Sequence, residues 1–136
     1  MNIFAQVFNA LPRQGPGSTN DTLRALKQVS EGFGPLEAML DVGCGCGDQS
    51  IVLLRETVAH LTAVDLSARL LAQLQASTVA EGFGDRLTTV ECSMKDMPLA
   101  PSSFDLIWSE GAVYIMGFEA AIECFRNLLR AGGRIA

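Results

Sequence analysis

Apolar positions along the chain follow two periods, one typical of amphipathic helices and one typical of short buried strands. Helical spacing predicts a first helix over residues 2–11, a second from about residue 20, and three more that begin near residues 48, 67 and 118. Short, mostly apolar runs between the helices predict strands at 36–42, 60–65, 87–91 and 104–109, and the beginning of a fifth at 134–136. This alternation is typical of an α/β fold, an open parallel sheet with helices on both faces.

Capping and breaking residues bound the later helices. Asp48 is predicted to cap the third helix and Ser67 the fourth, and Gly132-Gly133 is predicted to end the fifth near residue 130. The residues predicted to face the core from the helices are Leu23, Leu26, Val29, Ile51, Leu54, Val58, Leu70, Leu71, Leu74, one of Thr78 and Val79, Ile122, Phe125, Leu128 and Leu129. Each helix therefore has one apolar face available to cover a sheet.

Composition and charge narrow the classes of function. The chain has 136 residues, about the length of one domain, with 49% hydrophobic and 18% charged residues. Its net charge of −5 argues against a nucleic-acid partner and against an anionic membrane surface, because both favour basic proteins. No apolar run approaches the roughly 18 residues that span a bilayer, and the first residues lack a signal-peptide pattern. We therefore expect a cytoplasmic protein.

The four cysteines and the one histidine do not form a metal-site pattern. Cys44 and Cys46 are separated by one residue, and Cys92 and Cys124 lie far from them in sequence, so no four-ligand zinc spacing results. We expect reduced thiols in a reducing compartment and no metal site. His60 opens the second strand, opposite the edge where an open parallel sheet binds ligands, so we expect it to be uninvolved.

The segment between the first strand and the helix after it is the most informative part of the chain. Gly43, Gly45 and Gly47 allow a sharp turn and a close approach of the backbone to a ligand. A dinucleotide fingerprint needs its third glycine at position 48, where Asp48 stands, and an acid at a helix N-terminus repels pyrophosphate. A nicotinamide-dependent oxidoreductase is therefore disfavoured. A glycine turn alone is also compatible with a simple connection, but Asp65 at the end of the second strand favours a site, since such an acid accepts both hydrogen bonds of a ribose diol.

These residues and one further segment carry a family resemblance. The G-x-G-x-G spacing at 43–47, A-V-D-L-S at 63–67, and E-C-S-M-K-D followed by F-D-L-I-W-S within 91–109 resemble class I S-adenosylmethionine-dependent methyltransferases of the small-molecule type. The resemblance spans residues 36–136 and implies a Rossmann-like sheet with strand order 3-2-1-4 and the start of strand 5. It also implies S-adenosyl-L-methionine as the cofactor, and a cofactor-binding domain at 19–136 that is truncated at its C-terminal end.

The same resemblance implies a set of cofactor ligands at the carboxyl ends of the strands. Asp41 would lie near the ligand's ammonium group, and Asp65 would bind its ribose. Ser93 stands where family members often carry the aspartate that accepts the adenine amino group, and the backbone N–H of Met94 would reach a ring nitrogen. The predicted cofactor-binding residues are Asp41, Gly43, Cys44, Gly45, Gly47, Asp65, Leu66, Ser93, Met94 and Ser109.

The sequence does not identify a catalytic residue. Methyl transfer from a sulfonium is an in-line displacement that needs no nucleophile on the protein, and a general base helps only with some acceptors. Glu110 and Tyr114 follow the fourth strand at the correct edge and are candidates for that base. The alternatives are a solvated loop acid for Glu110 and a packing aromatic for Tyr114.

Residues 1–18 are predicted to form a lid segment ahead of the domain. Phe4, Phe8 and Leu11 form a helical stripe that either covers the cofactor or packs on the sheet in the ordinary way, because spacing alone does not separate the two. The glycine- and proline-containing loop at 15–18 is expected to close over the methionine end of the ligand.

The sequence thus predicts an S-adenosylmethionine-dependent methyltransferase that acts on a small-molecule acceptor. The alternative is a non-catalytic S-adenosylmethionine-binding fragment or assembly partner that lacks the acceptor half. Members of the resembled family continue beyond a fifth strand, so we expect an exposed sheet edge near residue 136 and self-association through it.

Overall fold

The computed structural model describes residues 3–11 and 13–136 and shows one five-stranded sheet. The strands are β1 (Ala38–Val42), β2 (His60–Asp65), β3 (Leu87–Glu91), β4 (Phe104–Trp108) and β5 (Leu129–Ile135). They are hydrogen-bonded in the order β3-β2-β1-β4-β5, and every neighbouring pair is parallel. The α/β class and the strand order predicted above are confirmed.

Helices cover both faces of the sheet. Within the described residues they are α1 (Ile3–Ala10), α2 (Thr19–Ser30), α3 (Asp48–Glu56), α4 (Ala68–Ala80) and α5 (Phe118–Leu128), with short 3-10 turns at Gly84–Arg86 and Val113–Ile115. Neighbouring side chains of β1 point to opposite faces. Met39 packs with Leu53 of α3 on one face, and Leu40 packs with Phe125 of α5 on the other. Because both faces of β1 are buried, the strand is apolar at every position except Asp41.

The last helix and strand differ from the prediction. Leu129 pairs with Phe104 as the first residue of β5, so α5 ends at Leu128 and not near residue 130. Gly132 and Gly133 lie inside β5 and do not end the helix, and the register against β4 is irregular in this stretch. Pairing with β4 and packing of Leu129 on the core outweigh the helical spacing of the leucines.

Two residues predicted to face the core, Val58 and Ile122, are exposed, and of Thr78 and Val79 it is Thr78 that is buried. Val58 is 79% exposed because α3 ends at Glu56, before this residue is reached. Val79 and Ile122 lie on the outer sides of α4 and α5, and the buried Thr78 completes the inner face of α4. The first strand also begins at Ala38 and not at residue 36. The other inward residues predicted on α2 to α5 that are buried are Leu26, Ile51, Leu54, Leu70, Leu71, Leu74, Phe125 and Leu128.

Parallel pairing places the carboxyl ends of the strands at one edge of the sheet. Val42 is in register with Val64, and Asp65 is in register with Glu91, so the segments that follow β1, β2 and β3 begin side by side. His60 lies at the opposite edge, where its Nε2 is 2.8 Å from the hydroxyl of Thr88. Among the described residues, no helix has the length and apolar character needed to cross a membrane.

Candidate functional site

A cavity of about 220 Å³ lies at the carboxyl edge of the sheet. The turn after β1 forms its centre. The "β2–β3 end" is lined by Asp65, Leu66, Cys92 and Met94, which follow β2 and β3. The "β4 end" is lined by Arg13, Gln14, Gly15, Glu110, Gly111, Ala112, Tyr114 and Ile115, from the loop before α2 and the segment after β4. The fold thus brings together five stretches of chain that are far apart in sequence.

The turn at 43–47 packs tightly on both sides and faces the cavity with its backbone. Gly47 has a φ of +87° and occupies the N-cap position of α3, so the prediction that the Asp48 side chain caps this helix is wrong. A Cβ added at Gly47 would lie 2.2 Å from Cδ1 of Leu74 on α4. A Cβ added at Gly43 would lie 2.5 Å from Cβ of Ala112. The turn therefore requires glycine at both positions for space as well as for backbone angle.

Every backbone N–H of this turn already donates a hydrogen bond. Gly43 and Cys44 donate to the Val64 carbonyl over 2.8 Å and 3.0 Å. Gly45 donates to Oδ2 of Asp65 over 2.9 Å, and Gly47 donates to the Cys44 carbonyl over 3.0 Å. Cys46 donates to Oε1 of Gln14 over 2.9 Å. The turn is fixed by its neighbours before any ligand arrives.

Asp65 joins the turn to the β2–β3 end. Its Oδ2 accepts from the Gly45 N–H and its Oδ1 accepts from the Ser67 N–H, each over 2.9 Å. The hydroxyl of Ser67 caps α4 by accepting from the Leu70 N–H, so α4 has a side-chain cap other than Asp65. Each carboxylate oxygen has a second lone pair, so Asp65, which lines the cavity, has acceptor capacity left for a ligand.

Asp41 lies wholly buried beneath the turn. Ser50 Oγ donates to its Oδ2 over 2.5 Å, and Gln49 Nε2 donates to the same oxygen over 3.1 Å. Burial raises the pKa of Asp41 to about 7, although these two hydrogen bonds oppose the rise. Gln49 also donates to the Cys44 carbonyl and lines the cavity. Asp41 therefore contributes to the site indirectly, by holding the Gln49 side chain in place.

The predicted cofactor residues divide into two groups. Gly43, Cys44, Gly45, Gly47, Asp65, Leu66 and Met94 line the cavity. Asp41, Ser93 and Ser109 do not line it. The hydroxyl of Ser93 accepts from the Lys95 N–H, and the hydroxyl of Ser109 donates to the Val42 carbonyl over 3.0 Å. Ser109 therefore ties the segment after β4 to the end of β1.

Glu110 is held by side chains from three elements and is not a solvated loop acid. The Arg13 guanidinium forms an ion pair with it. The Thr22 hydroxyl of α2 donates to its Oε2 over 3.0 Å, and the Trp108 indole N–H donates to the same oxygen over 3.2 Å. By contrast, Tyr114 is 74% exposed at the rim of the cavity. The two candidate bases thus differ, one fixed and the other open to solvent.

The loop before α2 covers the β4 end of the cavity. Pro16 packs against Gly111, where an added Cβ would lie 3.2 Å from its Cδ. Ser18 caps α2 by accepting from the Asp21 N–H, which fixes where the loop ends. Arg13 and Gln14 were not predicted as site residues, because their partners are distant in sequence and no local pattern indicates them. Of the predicted lid stripe, Leu11 is 46% exposed, and the side chains of Phe4 and Phe8 lie outside the described part of the structure.

The thiols near the cavity are not activated as nucleophiles. Burial is the largest cause that raises the pKa of Cys44, and the carboxylates of Asp41 and Asp65 raise it further. Burial also raises the pKa of Cys92. A thiol with a raised pKa carries little thiolate at neutral pH, so neither cysteine is poised for covalent chemistry.

The chain is similar to a known family and to characterised proteins. Residues 39–133 match the family described as "Methyltransferase domain". The malonyl-[acyl-carrier protein] O-methyltransferase of Enterobacter lignolyticus is 34% identical over 99 residues, which are 72% of this chain and 37% of that protein. A sterol 24-C-methyltransferase of Gibberella zeae is 29% identical over 103 residues, 75% of this chain and 27% of that protein. The chain thus spans about a third of the length of these relatives.

Solved structures share the fold. The S-adenosylmethionine-dependent methyltransferase of Geobacter sulfurreducens, in complex with S-adenosyl-L-homocysteine, matches with a TM-score of 0.81 and 25% identity over 98% of this chain and 53% of that chain. Phosphoethanolamine N-methyltransferase 2 of Haemonchus contortus, in complex with S-adenosyl-L-methionine, matches with a TM-score of 0.79 and 26% identity over 98% of this chain and 31% of that chain.

Proposed function

Because this chain belongs to the S-adenosylmethionine-dependent methyltransferase family, we propose that its cavity binds S-adenosyl-L-methionine and that the protein methylates a small-molecule acceptor. The observation that carries the proposal is Asp65, which braces the glycine turn and also faces the cavity. A carboxylate in this place accepts the two hydroxyls of a ribose, while the glycines keep the floor of the cavity free of side chains.

The residues present fit a nucleoside that carries an amino acid. At the β2–β3 end, Leu66, Cys92 and Met94 supply an apolar surface for an adenine ring beside the sugar-binding Asp65. The first turn of α3 carries Asp48, which disfavours the phosphates of a dinucleotide. The β4 end would then receive the amino-acid part of the ligand. We propose that Ser93 and Ser109 act by supporting the two loops, since their hydroxyls bond to backbone atoms.

Catalysis would rest on orientation. The bound cofactor supplies a methyl group that is already activated by the sulfonium. The chain's contribution is to hold the acceptor in line with that methyl group, which is worth several kcal/mol in favourable cases. Tyr114 and Ile115 at the exposed rim are the residues we expect to meet the acceptor. Glu110, by its three partners, is better suited to anchor the lid formed by residues 1–18 than to move a proton.

Isothermal titration calorimetry tests the ligand. S-adenosylhomocysteine and S-adenosylmethionine should bind this chain, and NAD should not. Binding of NAD in place of the other two would restore the oxidoreductase alternative. Incubation with methyl-labelled S-adenosylmethionine and a metabolite mixture then separates an enzyme from a non-catalytic binding fragment. The relatives named above act on different acceptors, so the acceptor of this protein is left to that assay.

Two further proposals concern the state of the protein. The edge strand β5 has exposed residues, among them Ile135, so we propose self-association through this edge. Sedimentation at increasing concentration measures this, and a constant monomer mass would contradict it. We also propose a cytoplasmic location, because all four cysteines are free thiols.

A further inference from the structure

The β4 end of the cavity contains one side chain with an unusual pair of roles. Gln14 lines the cavity, and its Oε1 accepts the N–H of Cys46 over 2.9 Å, directly above Gly45. A Cβ added at Gly45 would lie 2.5 Å from that oxygen, so the amide of Gln14 lies against the glycine turn. Because the Cys46 N–H is a donor, the oxygen of Gln14 must face it, and the amide NH₂ is the other end of the group.

An amino-acid ligand needs donors for its α-carboxylate at this end. The five N–H groups of residues 43–47 are all engaged, so the turn has none to offer. Arg13 uses its Nη2 for both Glu110 and Thr22, and the carboxylate of Glu110 balances its charge. The amide of Gln49 bonds to Asp41 and the Cys44 carbonyl.

Gln14 differs from these donors. Its NH₂ group donates to no other residue within 3–11 and 13–136, while its oxygen is tied down by Cys46. The hydroxyl of Tyr114 belongs to a side chain that is 74% exposed, where water competes for it. The amide of Gln14 is half-buried, held in place through its oxygen, and has an NH₂ group left for a ligand in the cavity.

We propose that Gln14 is a specificity-determining residue: its amide NH₂ binds the α-carboxylate of the cofactor while its oxygen holds the glycine turn. This inference rests on the proposed function. It assigns to the loop before α2 the task of distinguishing a nucleoside with an amino-acid chain from one without. In this proposal the β2–β3 end binds the nucleoside of the cofactor, and the β4 end binds its amino acid.

Two ligands and two variants of the 136-residue chain test the proposal. S-adenosylhomocysteine carries the α-carboxylate, whereas 5′-methylthioadenosine has the same nucleoside and a thioether without the amino acid. Gln14→Ala removes both the donor and the acceptor. Gln14→Glu keeps an oxygen for the Cys46 N–H, removes the NH₂ donor and adds a charge that repels a carboxylate.

Calorimetry should show that Gln14→Ala weakens S-adenosylhomocysteine binding by roughly tenfold to a hundredfold, the range for a lost hydrogen bond to a charged group. Gln14→Glu should weaken it at least as much. Neither variant should change the affinity for 5′-methylthioadenosine by more than about threefold, since that ligand makes no contact that depends on the amide. Circular dichroism checks that both variants are folded.

The contrary outcomes are distinct. Equal losses for the two ligands in both variants would mean that Gln14 only supports the turn, and would overturn the proposal while the proposed function stands. Unchanged affinity for S-adenosylhomocysteine in Gln14→Glu would overturn it as well. If the wild-type chain binds neither ligand, the proposed function itself fails, and the assignment of Gln14 fails with it.

Discussion

The two ends of the cavity are built in different ways. At the β2–β3 end, Asp65 bonds to Gly45 and to Ser67, which are its neighbours in the sheet and in the sequence. At the β4 end, Glu110 bonds to Arg13 and Thr22, which are 97 and 88 residues away. One end is formed by strand ends that any parallel sheet brings together, and the other by a loop that must fold back over the sheet.

This difference indicates which end of the cavity should be the more stable and which should select the ligand. Strand ends are held by the sheet ladders, so the β2–β3 end forms whenever β1, β2 and β3 pair. The loop at 13–18 rests on a few polar contacts with the segment after β4, and such regions open at low free energy. We expect the β2–β3 end, which would bind the nucleoside, to be rigid. We expect the β4 end to change its conformation when the rest of the ligand binds.

The largest expected effect concerns Asp41, beneath the turn that both ends share. Its pKa is raised to about 7 by burial, so between about pH 4 and about pH 7 the folded protein holds a proton that the unfolded chain releases. The free energy of unfolding should therefore fall as pH rises through this range, by up to roughly 4 kcal/mol. Asp41→Asn should remove the fall, as measured by urea unfolding at several pH values.

Asp105→Asn is the control for that experiment. Although burial, the largest single cause, acts to raise the pKa of Asp105, the Ala38 and Glu37 N–H groups and Arg130 outweigh it and leave this pKa lowered. From about pH 5 upwards Asp105 is therefore ionised in both states, and the fall should persist in Asp105→Asn. Parallel pH curves for wild type and Asp41→Asn would contradict the assignment.

The second prediction tests how tightly the glycine turn packs against Leu74 of α4. Gly47→Ala should lower the free energy of unfolding by about 3 kcal/mol, through left-handed strain and collision with Leu74. Gly82→Ala is a matched control, because Gly82 has a φ of +82° with no neighbouring atom within 4 Å of an added Cβ. It should cost about 1 kcal/mol from strain alone. Equal costs in chemical unfolding would show that the contact with Leu74 relaxes freely.

Asp65→Ala should reduce the affinity for S-adenosylhomocysteine by about a hundredfold, since two hydrogen bonds from the ribose to a charged group are lost. The control is Glu91→Ala. Glu91 is an exposed acid at the end of β3, in register with Asp65, and it does not line the cavity. That control should bind as wild type does. Unchanged affinity of Asp65→Ala in calorimetry would contradict the proposed contact between Asp65 and the ribose.

The smallest effect should appear at the β4 end. Glu110→Gln removes the charge that Arg13 pairs with, and should destabilise the loop locally by about 1–2 kcal/mol. Hydrogen–deuterium exchange should quicken at residues 13–18 and stay unchanged in β2 and β3. Glu123→Gln, an exposed substitution on α5, should change neither region. Faster exchange throughout the sheet in Glu110→Gln would show that the two ends are one cooperative unit.

What could be read from the amino-acid order alone is local. The strand and helix periods, the glycines at 43–47 and the acid at 65 each depend on neighbours within a few residues, and parallel pairing then places the strand ends at one edge. The same local logic failed at Leu129, where a helical spacing continued past the point at which the chain pairs with β4.

The residues of the β4 end could be recognised only from the three-dimensional structure. Nothing periodic links Arg13 and Gln14 to Glu110 and Cys46, because polar contacts between distant loops leave no repeating pattern in a chain. From spacing alone, Glu110 is either a candidate base or a solvated acid, and Gln14 is a loop residue. Only folding sets their partners beside them. Short-range spacing specifies which elements form, whereas the packing of those elements specifies which polar groups meet.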